Sequence, residues 1–161
     1  KEAWNFILSG GALFNHLDYS FTADNEDGSF KFGKGQPGGG GKTIRNQFRI
    51  LAEFMKSINF TGMKPVTRDI VKIDGNEDAS LYGLAEEGRS YALCLSRKDA
   101  APAASVIGIL LPAGSFKISY TDTKTGSETL ANIDDHQGGW KQIKTPVYSE
   151  DIALKIVRSP K

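Results

Sequence analysis

The chain has 161 residues, of which 39% are hydrophobic and 24% charged, and its formal net charge is +1. This length suits one domain, or one domain and part of another, and is enough to bury a core. The near-zero charge gives no electrostatic reason to expect a nucleic acid or an anionic membrane as partner. No apolar run approaches the ~18 residues of a membrane-spanning helix, and a single cysteine, Cys94, excludes an intrachain disulfide.

The first segment is predicted to form a helix near residues 2–9. Apolar side chains recur there at helical spacing: Ala3, Trp4, Ile7 and Leu8. Gly10 and Gly11 follow, and a left-handed glycine is a common helix end. The next ~30 residues show no clear periodicity, and a loop of that length in a compact domain is usually functional or disordered.

A second helix is predicted over residues 43–58. Its apolar stripe repeats at intervals of three and four residues: Ile44, Phe48, Leu51, Met55 and Ile58. Thr43 is the expected N-cap, and Gly62 lies beyond the end. The helix also carries Ile50, Ala52 and Phe54 outside this stripe, so more than one of its faces is apolar.

The stretch "GKGQPGGGGKT", Gly33 to Thr43, superficially matches two nucleotide-binding motifs. A phosphate loop needs a buried strand before it, and a dinucleotide site needs a parallel strand after the helix. Polar residues precede this stretch, and Pro65 with short antiparallel strands follows the helix. We therefore predict a glycine loop leading into a helix, with no nucleotide and no cofactor.

After Pro65 the hydrophobic pattern changes to a period of two. Seven short strands are predicted: "DIVKID", "SLYGLAEE", "SYALCLS", "SVIGILLP", "SFKISYTD", "WKQIKTP" and "DIALKIV". Turn sequences such as Glu87-Gly88 and Pro112-Ala113-Gly114 separate them. Alternation with tight turns indicates an antiparallel sheet with one solvated face. The sequence thus predicts a mainly β protein with N-terminal helices, its antiparallel β-sandwich running from about residue 68 to 158.

Metal and nucleophile sites are not predicted. The acidic turn "DNEDG", residues 24–28, lacks the twelve-residue spacing of a calcium loop. His16, His136 and Cys94 lack the spacing of zinc ligands, and no Gly-x-Ser-x-Gly elbow is present.

Several motifs in order resemble one family. "AWNFILSGGALFNHLDYSFTADNEDG", a glycine-rich loop and "IRNQFRILAEFMKSINFTGMKP" are similar to the C-terminal end of a (β/α)8 barrel in bacterial glycoside hydrolases, including the apiosidase-like group. In those proteins a small β-sandwich labelled as a collagen-binding domain follows the last barrel helix. "YALCLS", "LLPAGSFKISYTDTKTG", "GGW" and "SEDIALKIVR" resemble that sandwich.

The resemblance implies that residues 1–64 form the end of the barrel and that residues 65–161 form an accessory β-sandwich. Glycosidases use two carboxylates that flank the scissile bond, and in this family they would lie upstream of Lys1. We therefore expect the chain to be a piece of a longer secreted or periplasmic enzyme. This piece would support the barrel and would have no activity alone.

The resemblance also implies that the loop after the first helix lies on the catalytic rim of the barrel. Its candidate sugar-binding residues are Asn15, His16, Asp18, Tyr19, Ser20 and Phe21. The alternative is that Asp18 and Ser20 brace the loop and the two aromatic residues pack. A further candidate is Trp140, either as a sugar platform in "DDHQGGW" or as a sandwich-edge or interdomain core residue.

Two other functions stay open at this point. An autonomous carbohydrate-binding module requires an exposed aromatic platform, for which Trp140 or Tyr148 would qualify. A protein-interaction domain is the second alternative, since the family label names collagen. Across these hypotheses the partner expected is carbohydrate, and the missing barrel implies a second partner. The apolar helices of residues 1–62 should pack on the rest of the parent barrel or on a second copy of the chain.

Overall fold

The computed structural model describes residues 1–31, 33, 40–75, 78–99 and 101–160. Over these residues the chain is an antiparallel β-sandwich preceded by two helices, which confirms the predicted fold class. In chain order the elements are Glu2–Leu8 (α1), Gly41–Lys56 (α2), a short 3-10 helix Phe60–Gly62, Lys64–Pro65 (β1), Val71–Asp74 (β2), Ala79–Glu86 (β3), Ser90–Arg97 (β4), Val106–Leu111 (β5), Gly114–Asp122 (β6), Glu128–His136 (β7), Gly139–Lys144 (β8) and Asp151–Arg158 (β9).

Two antiparallel sheets pack against each other. The larger has six strands in the order β1-β3-β4-β9-β6-β7, and the smaller has three in the order β2-β5-β8. Alternate residues point between the sheets, as period-two patterning requires. This main core includes Tyr91, Leu93, Ile107, Ile109, Phe116, Leu154 and Ile156, all no more than 1% exposed.

A second core lies between the helices and the outer face of the six-stranded sheet. On the sheet side it contains the small residues Ala92, Cys94 and Ala153, each fully buried. Small side chains let the helices approach closely, so Trp4 and Phe54 fit over them with ring centroids 5.1 Å apart in an edge-on arrangement. We call this surface, Ala92, Cys94 and Ala153, the covered face.

The end of α1 follows from its glycines. The Gly10 amide donates to the Ile7 carbonyl and the Gly11 amide to the Phe6 carbonyl, both at 3.0 Å. Gly10 has a φ of +95°, which a glycine adopts without steric cost. This is a Schellman end, and it confirms the left-handed termination predicted for Gly10–Gly11.

Helix α2 begins at Gly41 and ends at Lys56. Thr43 therefore lies inside the first turn, and its predicted role as N-cap is wrong because Gly40 takes that position. The preceding glycine run at residues 34–39 lies outside the described residues. Among the residues that are described, no helix is long and apolar enough to cross a membrane.

Two strands were not predicted from the sequence, β7 and the two-residue β1. β7 is an edge strand with mostly exposed residues, and Leu130 is 74% exposed. Its apolar alternation is weak because only Ile133 is buried within it. β1 contains the predicted boundary between residues 64 and 65, and the division into two domains stays a prediction.

Candidate functional sites

Four of the six candidate residues of the N-terminal loop contact the first half of α2. Asp18, Ser20 and Phe21 contact Arg45, and His16 lies beside Phe48. Asp18 is the centre of this cluster. Its Oδ1 accepts hydrogen bonds from the Ser20 amide at 3.0 Å and from the Ser20 hydroxyl, and its Oδ2 accepts one from Arg45 Nη1 at 2.8 Å. Asp18 is thus bound to its own loop and to α2.

Arg45 extends the same network. Its Nη1 donates to the Ser20 hydroxyl at 2.9 Å, its Nη2 donates to the Gly28 carbonyl at 3.2 Å, and its guanidinium lies 4.9 Å from the centre of the Phe21 ring. Gly40 packs so closely that a Cβ there would come within 2.2 Å of the Asp18 carboxyl group. The arrangement is that of a brace, which holds the loop of residues 18–28 against α2.

The brace fixes the charge of Asp18. Hydrogen bonds from Ser20, then those from Arg45 and its positive charge, lower the pKa of Asp18 from 3.8 to about 2. The carboxylate stays ionised at neutral pH, so it cannot act as a general acid there.

The remaining loop candidates are accessible. Tyr19 and Phe21 are each 49% exposed, Asn15 is exposed, and the His16 ring lies 5.8 Å from that of Phe48. Nothing in the geometry tests whether these residues contact a sugar. Their role in binding therefore stays a prediction.

Trp140 lies far from this cluster in the fold, on the outer face of the three-stranded sheet. It is 48% exposed, so its side chain does not belong to the core of the sandwich. The register aligns Lys72 with Gly108 and Gly108 with Gln142, and it aligns Leu110 with Trp140. We call this surface, formed by Lys72, Asp74, Gly108, Leu110, Trp140 and Gln142, the open face.

The polar groups of the open face contact one another around Trp140. Lys72 Nζ lies 4.7 Å from the centre of the Trp140 ring and 3.9 Å from Asp74 Oδ1. Gln142 Nε2 donates to Asp74 Oδ2 at 3.2 Å across the middle strand. Gly108 permits this contact, because a Cβ there would come within 3.2 Å of both Asp74 and Lys72.

Sequence reasoning found Trp140 but not its neighbours. Lys72, Asp74 and Gln142 each occupy the solvent side of an alternating strand, so their direction was readable. Their proximity was not, because β2, β5 and β8 come from distant parts of the sequence. Tyr148, the other aromatic platform considered, is buried, and its hydroxyl lies 2.7 Å from that of Ser105.

A third feature is an apolar groove of about 650 Å³ between α1, α2 and the segment that leads into β1. Phe48, Met55 and Met63 contribute to its walls. Leu13 and Phe60, also at the groove, are 79% and 50% exposed. The groove thus brings two exposed apolar side chains beside partly buried ones from both helices.

Titratable groups elsewhere carry no site. Among the described residues, no group of three or more His, Cys, Asp or Glu side chains could hold a metal ion. In the acidic turn, Asp27 accepts a hydrogen bond from the Ser29 amide at 3.0 Å. Burial raises the pKa of Cys94 to about 12, which keeps its thiol protonated and unreactive.

No protein-family model matches the sequence, and no curated protein matches it. Among solved structures, a glycoside hydrolase matches 81% of this chain at 18% identity with a TM-score of 0.56. A family 5 glycoside hydrolase from Bacteroides vulgatus matches 74% at 15% identity with a TM-score of 0.53. A carbohydrate-binding module in complex with beta-1,4-galactotriose matches 64% at 13% identity, but its TM-score of 0.27 is too low to support an argument.

This chain spans only 31% and 25% of the two glycoside hydrolase chains. At these identities the likeness concerns the fold alone. The described residues therefore share the fold of part of a glycoside hydrolase.

Proposed function

We propose that this chain is a non-catalytic accessory region of a glycoside hydrolase that supports the catalytic body of the enzyme. In this proposal residues 1–64 are the end of the barrel and residues 65–161 are the accessory sandwich. The observation that carries it is the broad apolar surface of the helical layer, of which the sandwich covers one part while another part borders the groove.

The apolar surface of α2 extends beyond the part that the sandwich covers. Ile50 and Phe54 are no more than 5% exposed and belong to the core over the covered face. Phe48 and Met55, from the stripe predicted in the sequence, pack partly against the same core and also border the groove. A helix that only covers a sheet needs a single apolar stripe, so the part of the surface that borders the groove indicates a further packing partner.

The groove supplies a reason for that partner to bind. Burial of apolar surface contributes roughly 25 cal/mol per Å², so a few hundred Å² give several kcal/mol. Exposed apolar patches of that size usually mark an interaction surface. The body of the parent enzyme is the partner we infer, since the glycoside hydrolases with the same fold have chains three to four times as long as the matched part.

In this proposal the body of the parent enzyme, rather than this chain, carries out catalysis. Glycoside hydrolysis requires two carboxylates on either side of the glycosidic bond, and the carboxylate of the loop cluster, Asp18, is engaged by Ser20 and Arg45. The finer assignments, an apiosidase-like parent and a secreted or periplasmic location, rest on the sequence resemblance. Collagen binding is a weaker alternative, for which no contact described above supplies a reason.

Hydrolysis assays on the isolated chain test the catalytic half of the proposal. We expect no turnover of aryl glycosides or polysaccharides by this chain, and turnover by a longer protein that includes the upstream residues. Turnover by the isolated chain that is lost in the Asp18→Ala variant would overturn the proposal.

Dye binding tests the structural half. The isolated chain should bind a hydrophobic fluorescent dye or self-associate in sedimentation, and the double variant Leu13→Ser, Phe60→Ser should do so less. Leu130→Ser, at an exposed leucine of β7, is the matched control and should change neither reading. A monomer that binds no dye would contradict an open groove.

A further inference from the structure

We propose that the open face is a binding site for a neutral glycan, with one pyranose ring stacked on Trp140. The site lies on the outer face of the three-stranded sheet, whereas the helices and the groove lie on the outer side of the six-stranded sheet. It is therefore independent of the proposed docking to an enzyme body, and it adds a second function to the sandwich.

The exposure of Trp140 is the first observation. The chain has two tryptophans, and Trp4 is 3% exposed whereas Trp140 is 48% exposed. Scattered exposed apolar residues are common, but a half-exposed indole on a sheet face presents a large flat apolar surface with a polar edge. The C–H face of a pyranose is complementary to such a surface, and its hydroxyl groups lie at the rim of the ring.

Hydrogen-bonding groups around the indole are the second observation. Lys72 Nζ lies over one face of the ring, 4.7 Å from its centre, which leaves the rest of the exposed indole for a sugar. Lys72 Nζ, the Asp74 carboxylate and the Gln142 amide form a chain of contacts at 3.9 and 3.2 Å. Together they offer donors and acceptors at spacings that vicinal hydroxyl groups can bridge. The contacts among them hold the side chains in place before a ligand arrives, which lowers the entropy cost of binding.

Gly108 is the third observation. It lies between Lys72 and Gln142 in the register, and it is buried because the side chains of Lys72 and Asp74 lie over it. A side chain at this position would displace Asp74 and Lys72, which lie within 3.2 Å of the position of its Cβ. The missing side chain therefore lets the polar groups of the open face meet close to the sheet beside Trp140.

The charges decide the class of glycan. Lys72 and Asp74 oppose each other beside Trp140, so the surface around the ring has hydrogen-bonding capacity rather than one dominant sign of charge. Lys144, a further exposed cation on this side of the sheet, lies four residues along β8 from Trp140, beyond Asp74 in the register. That favours a neutral glycan over a uronate-rich or sulfated one.

Affinity electrophoresis tests the site with soluble polysaccharides as probes: β-1,4-galactan, xyloglucan, galactomannan and a mixed-linkage β-glucan. At least one should retard the native chain, and Trp140→Ala should weaken that retardation by about tenfold or more, as for an interface tryptophan. Phe60→Ala, a similarly exposed ring at the groove, is the matched control and should bind normally. No retardation by any probe, or equal retardation of Trp140→Ala, would overturn the proposal.

Tryptophan fluorescence reports on the same site without relying on a variant at Trp140. In Trp4→Phe the remaining indole is Trp140, and iodide should quench it readily. Saturation with the retarding polysaccharide should protect it from iodide. Binding without any protection would place the glycan elsewhere and contradict the proposal.

Two further arms separate the alternatives. Gly108→Ala should weaken binding while leaving the fold unchanged by circular dichroism, because the added methyl group displaces Lys72 and Asp74 from their places beside the ring. Binding to polygalacturonate alone, lost at 0.5 M salt, would overturn the neutral class. Each of these binding measurements concerns only the open face. Their outcome is therefore independent of the hydrolysis and dye-binding tests of the proposed accessory function.

Discussion

The covered face and the open face are both outer surfaces of the same sandwich, and they differ in the size and polarity of their residues. The covered face presents Ala92, Cys94 and Ala153, and helices lie over it. The open face presents Trp140, Leu110 and polar side chains around Gly108, and no described element covers it. Small side chains make room for a helix, whereas a large ring with polar neighbours leaves a surface suited to a ligand.

The largest effect should come from removing the helical side of the covered face. Trp4→Ala should lower the free energy of unfolding by about 3–5 kcal/mol, because a buried ring in contact with Phe54 is lost. Urea denaturation measures it. Leu130→Ala, at a 74% exposed position, should stay within about 0.5 kcal/mol. A small effect of Trp4→Ala would mean that the helices and the sandwich do not unfold together.

A smaller effect should follow from enlarging the covered face. Ala92→Leu adds volume under the helices at a fully buried position, so it should destabilise the fold by about 1–3 kcal/mol through overpacking. Lys144→Leu, at an exposed position of β8, adds apolar surface without a neighbour above it and should be nearly neutral. Thermal denaturation measures the loss of stability in both variants. Equal losses would contradict the proposed difference between the covered face and the open face.

The smallest effect concerns the brace that ties the loop to α2. The hydrogen bond from the Ser20 side chain is the main cause of the lowered pKa of Asp18, so Ser20→Ala should raise that pKa more than Arg45→Gln does. Carboxyl-carbon NMR titration measures both. Asp27, whose pKa is lowered by Ser29, is an internal control and should not shift. If Arg45→Gln raised the pKa of Asp18 more than Ser20→Ala does, the charge of Arg45 would be the main cause of the lowered pKa.

The same shift predicts a pH dependence. Because folding lowers the pKa of Asp18 from 3.8 to about 2, its contribution to stability is complete above about pH 4 and is lost as the pH falls through 2. The protection of amides in residues 18–28, measured as the exchange rate relative to the intrinsic rate at each pH, should therefore fall in this acidic window in the native chain. The fall should be smaller in Asp18→Asn, which has no carboxylate to protonate.

Much of the fold followed from local patterns. Seven of the nine described strands and both α-helices were predicted, because each carries a clear period of 2 or 3.6. β7 was not, since an edge strand with one buried residue has little alternation to read. The predicted start of α2, at residue 43, was two residues too late, because Gly40 and Gly41 are poor helix-start signals compared with Thr43.

The sequence by itself determined the class of fold, the polar side of each strand and the broad apolar surface of α2, because these depend on residue spacing along the chain. Only the tertiary structure decided that Asp18 meets Arg45, that Tyr148 is buried and that Trp140 is exposed beside Lys72, Asp74 and Gln142. Those facts depend on which strands become neighbours. Asp74 and Gln142 are 68 positions apart in the sequence, and only the order β2-β5-β8 brings their side chains together.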